Sequence, residues 1–165
     1  MAEVPELPEK EWPEVRKAKA SANTGWGYFG DLVKVMHKAL GEEKTIEILS
    51  TFMAENARKY IKSGMAGFGI KGNDPWALAS YLKLATGDII GYKIVLIQES
   101  PKKVRYQLYP PCIWFPKLDI PASFCRCMGI FERTGAELLN PGIKVTQTKI
   151  MTAGDPYCEI VFEEE

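Results

Sequence analysis

The chain has 165 residues, 46% hydrophobic and 25% charged, and its 21 basic and 21 acidic side chains leave no formal net charge. A chain of this length buries about 70% of the surface its unfolded form exposes, enough for one domain whose core needs neither disulfides nor a metal, and this excludes disorder as the main state. The balanced charge, with Lys102, Lys103 and Arg105 as the densest basic cluster, excludes a sequence-independent hold on nucleic acid, and no apolar run reaches the roughly 18 residues of a membrane span.

Residues 1–25 carry Pro5, Pro8 and Pro13 among Glu and Lys, which predicts an extended arm ahead of a single small-molecule-binding domain over 26–165. Trp12, Trp26, Tyr28 and Phe29 are the residues that would pin it to the body or to a partner subunit. From Asp31, Leu32, Val35, Met36, Ala39 and Leu40 recur at helical spacing until Gly41. Glu42 and Glu43 open a second helix, with Ile46, Leu49, Phe52, Met53, Tyr60 and Ile61 on its apolar side and Gly64 at its end. The glycine-rich SGMAGFGIKGND reads as a loop. At Asp74-Pro75 a capping acid and a proline in the first turn start a third helix through Trp76, Leu78, Tyr81, Leu82 and Ala85 to Gly87.

The second half is β-rich. IIGYKIVLIQ and KVRYQLY flank the turn ESPK as a hairpin, and Pro110, Pro111 and Pro116 then break the ladder around Cys112, Trp114 and Phe115. Asp119 would cap a helix from Pro121 to Leu139, ended by Asn140-Pro141-Gly142, and IKVTQTKI and YCEIVFE flank the turn TAGDP. The predicted class is α+β: N-terminal helices packed on an antiparallel sheet made of two hairpins with an intervening helix. A homodimer is the expected oligomer. The acidic, proline-punctuated start is unlike a secretory leader, and four cysteines are too few for a disulfide scaffold, so a reduced, cytoplasmic setting is expected.

The cysteines lie on a strand end, a helix and a final strand, from which they could converge. Three readings are open. Cys112, Cys125, Cys127 and Cys158 could hold zinc as thiolates, although the C-x-C spacing of Cys125 and Cys127 on a helix turns the two apart. They could equally be small apolar core residues: Cys127 sits at the edge of the stripe Phe124, Met128, Phe131, Gly135 and Leu138, and Cys158 alternates in register with Ile160 and Phe162. One could be a reactive thiol, and Cys125, beside Arg126 and near a helix start, fits a depressed pKa best. His37 reads as a solvated or partly packed helix residue, and no nucleophile elbow, phosphate loop or dinucleotide fingerprint is present. Asp155 reads as a turn former, and Trp76, Tyr92 and Trp114 could line a cavity for a small molecule.

Thr152-Ala153-Gly154-Asp155-Pro156-Tyr157-Cys158-Glu159 before an apolar strand resembles the closing G-D-x-x-C signature of the L-2-amino-thiazoline-4-carboxylic acid hydrolase-like family. The Gly-Glu helix junction, Cys112 after a strand, Cys125 at a helix start and Asn140-Pro141 look like that family too. The resemblance implies a hydrolase opening a small cyclic amidine or related C–N bond, with Cys112 or Cys125 required. Attack by thiolate or metal-bound water, with Asp155 taking or orienting a proton, is the matching mechanism. The same ending resembles the four-vinyl-reductase domain of nitric oxide signalling and Golgi transport. That resemblance implies a non-catalytic sensor enclosing a hydrophobic molecule, related to phenol-sensing domains with a cysteine zinc site that includes the position of Cys158. Where those sensors carry glutamate and a further cysteine, this chain has Gln147 and Ile150.

Overall fold

The computed structural model describes residues 13–112 and 120–165. The first element, α1 (Glu14–Gly67), is not one rod: Gly41 takes φ 80° and ψ 172°, a conformation reserved for glycine, and reverses the chain. Phe29 and Phe52 therefore stack with ring centroids 5.4 Å apart, where an unbroken helix would separate them by about 34 Å. The result is an αα-hairpin. Just beyond the bend, the buried Thr45 hydroxyl donates to the Gly41 carbonyl at 2.7 Å.

The extended arm expected over residues 1–25 is corrected for its last twelve residues, since α1 is helical from Glu14. Pro13 stands one place before the helix, where a missing N–H costs nothing, so the proline that suggested a break marks the start. Residues 1–12 lie outside the described residues, as do Trp114, Phe115, Pro116 and Asp119.

The helix α2 (Pro75–Leu82) begins as its sequence predicts: Asp74 Oδ1 accepts from the Ala77 N–H at 2.8 Å and Pro75 occupies the first turn. It widens into a π-helical turn, Lys83–Asp88. Then come β1 (Lys93–Ser100), β2 (Lys103–Tyr109), α3 (Ala122–Leu139), β3 (Ile143–Lys149), a short 3-10 turn (Met151–Ala153) and β4 (Cys158–Glu164). The four strands form one antiparallel sheet in the order β1-β2-β4-β3, so the fold is α+β and β4 lies inside the sheet. Pro121, not Asp119, precedes α3, and no side chain caps it.

Two apolar clusters hold the layers together. Ala57, Ile61 and Met65 of α1 and Leu78 and Leu82 of α2 pack on Val104, Ile160 and Phe162 of the sheet. Val33, Leu49, Ile120, Phe124 and Cys127 fill the space between the hairpin and α3. Full burial of a side chain such as Phe162 or Phe124 stabilises by about 1.5–3 kcal/mol. The opposite face of the sheet is roofed by its own side chains. Glu159 and Val161, which alternate with Ile160 and Phe162 and so face away from the helices, are only 3% and 7% exposed, because β4 is flanked by strands on both sides. The Glu159 carboxylate accepts from Arg105, Gln107 and Thr148, which hold it as a satisfied buried acid.

Candidate functional site

The closing turn connects β3 to β4 at one end of the sheet. Ile150 N–H donates to Asp155 Oδ2 at 2.7 Å, Gly154 adopts φ 101°, and Met151 N–H donates to Cys158 Sγ at 3.3 Å. Asp155 and Cys158 thus tie the turn to its own backbone, and Asp155 plays the turn-forming role. Tyr157, the next side chain but one, stacks on Tyr109 at 5.0 Å and takes the Lys149 ammonium over its ring and at its hydroxyl.

Cys112, beyond β2, Cys125, in the first turn of α3, and Cys158, opening β4, come close enough to affect one another's ionisation. Burial pushes the Cys125 thiol up to about 11, and negative charge on Cys112, Cys158 or Cys127 would raise it further. The Thr152 hydroxyl beside it offsets a little of that rise, although its Oγ1 is buried outside hydrogen-bond geometry. Burial raises Cys158 as well, against the Met151 N–H. The depressed pKa expected for Cys125 is therefore corrected: desolvation outweighs its place at a helix start, and Arg126 points its charge to solvent. Cys127 is core, 4% exposed, its thiol donating to the Ser123 carbonyl at 3.4 Å. Among the described residues, no three His, Cys, Asp or Glu side chains form a group that could hold a metal ion.

Of the three aromatic candidates, the two among the described residues, Trp76 and Tyr92, lie apart. Trp76 is 41% exposed and lines an open groove of about 540 Å³ with Leu84, Ile94 and Leu96. Tyr92 does not line it; half-buried near Cys112, it donates its hydroxyl to Asn23 at 3.1 Å. A second groove of similar size runs between α3 and β3, past Arg126, Arg133, Gln147, Lys149 and Asp155. His37 packs edge-on against Phe124, a partly packed helix residue as read.

One residue of chemical interest was passed over in the sequence. Glu132 stands beside the apolar stripe of α3, about 80° round the helix from Phe124. Its Oε2 is buried without a hydrogen-bond partner, and burial pushes the carboxyl up to about 7 against the weaker pull of backbone and Arg133. Its neighbour is the buried Tyr106 of β2, whose hydroxyl meets Thr86 of the π-helical turn and whose pKa is raised by burial.

No protein-family model matches the chain, and no curated protein sequence does. Among solved structures, it is similar to a trafficking protein particle complex subunit 3 from Naegleria fowleri covalently bound to palmitic acid. The two are 15% identical, with a TM-score of 0.67, over 89% of this chain and 96% of the other. It is also similar to the phenol-responsive sensory domain of the transcription activator PoxR with phenol, at 11% identity and a TM-score of 0.57 over 84% and 73% of the two chains. At these identities the likeness establishes a shared fold. No match accompanies the resemblance to the thiazoline-carboxylate hydrolase-like family.

Proposed function

We propose that the chain is a ligand-binding domain that encloses a small hydrophobic molecule bearing one polar group, between α3, the π-helical turn and the inner face of the sheet. The observation that carries this reading is the fold shared across nearly the whole chain with a subunit holding palmitic acid and with a domain holding phenol. Both ligands join an apolar body to a single oxygen-bearing head. Glu132 Oε2, buried and unpartnered, offers an acceptor of the kind such a head needs, and its neighbour Tyr106 belongs to an apolar cluster against which Phe131, Leu108 and Leu96 pack. Hydrolysis through Cys112, Cys125 and Asp155 has less support, because the Cys125 thiol keeps its proton at neutral pH and the Asp155 carboxylate is engaged by Ile150 N–H.

Calorimetric titration and thermal melting with phenol and with palmitic acid test the proposal. A ligand at a hundred times its Kd raises stability by about 2.7 kcal/mol, a clear shift of the melting point. Binding of either probe that weakens in Glu132→Gln supports the site. No binding of either, combined with turnover of a cyclic amidine that Cys125→Ser abolishes, would overturn it in favour of the hydrolase.

A further inference from the structure

The two edges of the sheet differ. The β3 edge carries Lys144 and Lys149 and no carboxylate, so a second β3 laid against it antiparallel meets only like charge, a protection that edge strands commonly show. The β1 edge lacks that like-charge guard, and its one irregularity against β2 is the register shift between Gln98 and Ser100, at the Glu99 end. Among the described residues it pairs on one side only, with β2, and it contains no proline. Val95 and Ile97 are 37% and 41% exposed on its outer side, and the groove containing Trp76 runs along it.

Its sequence is also self-complementary. Lys93 and Glu99 stand three residues to either side of Leu96. Lys93 rests over the Tyr109 ring and makes no ion pair among the described residues. At the other end Glu99, Glu159 and Glu163 face Lys103 and Arg105, which leaves that end with an excess of negative charge.

We propose that a second copy of this chain docks on the β1 edge, antiparallel about a two-fold axis at Leu96. In this register Lys93 faces the partner's Glu99 and Glu99 faces the partner's Lys93. Val95 meets the partner's Ile97, and the two sheets join into one of eight strands. The unpaired backbone groups of β1 gain partners, and the exposed apolar pair leaves water. The contact is one strand wide with a flanking groove, below the size of a permanent interface, so the dimer dissociates on dilution.

Sedimentation velocity over a concentration series tests this with Lys93→Glu, Glu99→Lys and an equimolar mixture of the two. Wild type is expected to shift reversibly from monomer to dimer. Each reversal alone sets like charges across both ends and weakens the dimer on the order of tenfold. The mixture restores it, because the heterodimer pairs Glu with Lys at both ends, and that rescue also shows that the variants are folded. A wild type that stays monomeric, a mixture that fails to recover, or a dimer indifferent to the charge changes but lost in Leu32→Glu on the exposed face of α1 would each overturn the proposal.

Discussion

Glu132 is a carboxyl whose burial acts against the fold whenever it is ionised. Its pKa rises from 4.5 to about 7, so the folded state binds more protons than the unfolded state between those values. Stability therefore falls as pH climbs through that window, by on the order of 3 kcal/mol once complete. Urea unfolding of Glu132→Gln should show the variant more stable than wild type at pH 8 and close to it near pH 4.5; equal effects at both would remove ionisation as the cause. The thiols give a second prediction. With the Cys125 pKa at about 11, its alkylation by iodoacetamide at pH 7 should be far slower than that of a free thiol and accelerate steeply above pH 10. At this scale the sequence was partly legible. The wheel placed Phe124 and Cys127 in the core, as found, but the meeting of Cys112, Cys125 and Cys158 depends on three elements packing together, and no local pattern records it.

Among the elements, those with chemical punctuation were the legible ones. Asp74-Pro75 announces α2 because its side chain and its missing N–H both act within one turn; Asp74→Ala should cost about 0.5–2 kcal/mol, read as a lower melting temperature. Gly41 was read as the end of one helix and Glu42 as the start of the next, which is correct for the backbone. That the two arms fold back to stack Phe29 on Phe52 is a tertiary outcome. Gly41→Ala places a Cβ in a region closed to it and should destabilise by about 1–3 kcal/mol. Calorimetry would show the loss; an unchanged melting point would mean that the bend does not require a glycine conformation at residue 41. The start of α1 is illegible from composition because proline breaks a helix interior, whereas one place ahead of a first turn it is neutral.

For the molecule as a whole, opposing acids shape the pH response. Desolvation alone would raise Glu159, but hydrogen bonds from Thr148 and Gln107 and the charge of Arg105 bring it below its ordinary value. The hydrogen bond from Arg105 likewise lowers Glu99. Depressed carboxylates stabilise the fold above their unfolded pKa and lose that effect as pH falls through the folded value, the reverse of Glu132. Melting temperature should therefore peak near pH 5, and in Glu132→Gln the maximum should broaden toward neutrality. The α+β class and the antiparallel pairing were readable from strand composition and the absence of alternating helices. The order β1-β2-β4-β3 was not, since it is set by which inner faces cover the α2 and α3 side chains.

That order also has a consequence in time. The β1–β2 hairpin joins Lys93 to Tyr109 and the bend at Gly41 joins Phe29 to Phe52, both between near neighbours along the chain. The seam between β2 and β4 joins Lys103 to Glu163, across the whole of α3 and β3. Distant pairings wait on the search that brings their ends together, so this seam is the slow one. In refolding followed by pulsed hydrogen exchange, amides of the β1–β2 and β3–β4 hairpins should gain protection before the β4 amides that bond β2, making the joint at the centre of the finished sheet the last to be secured.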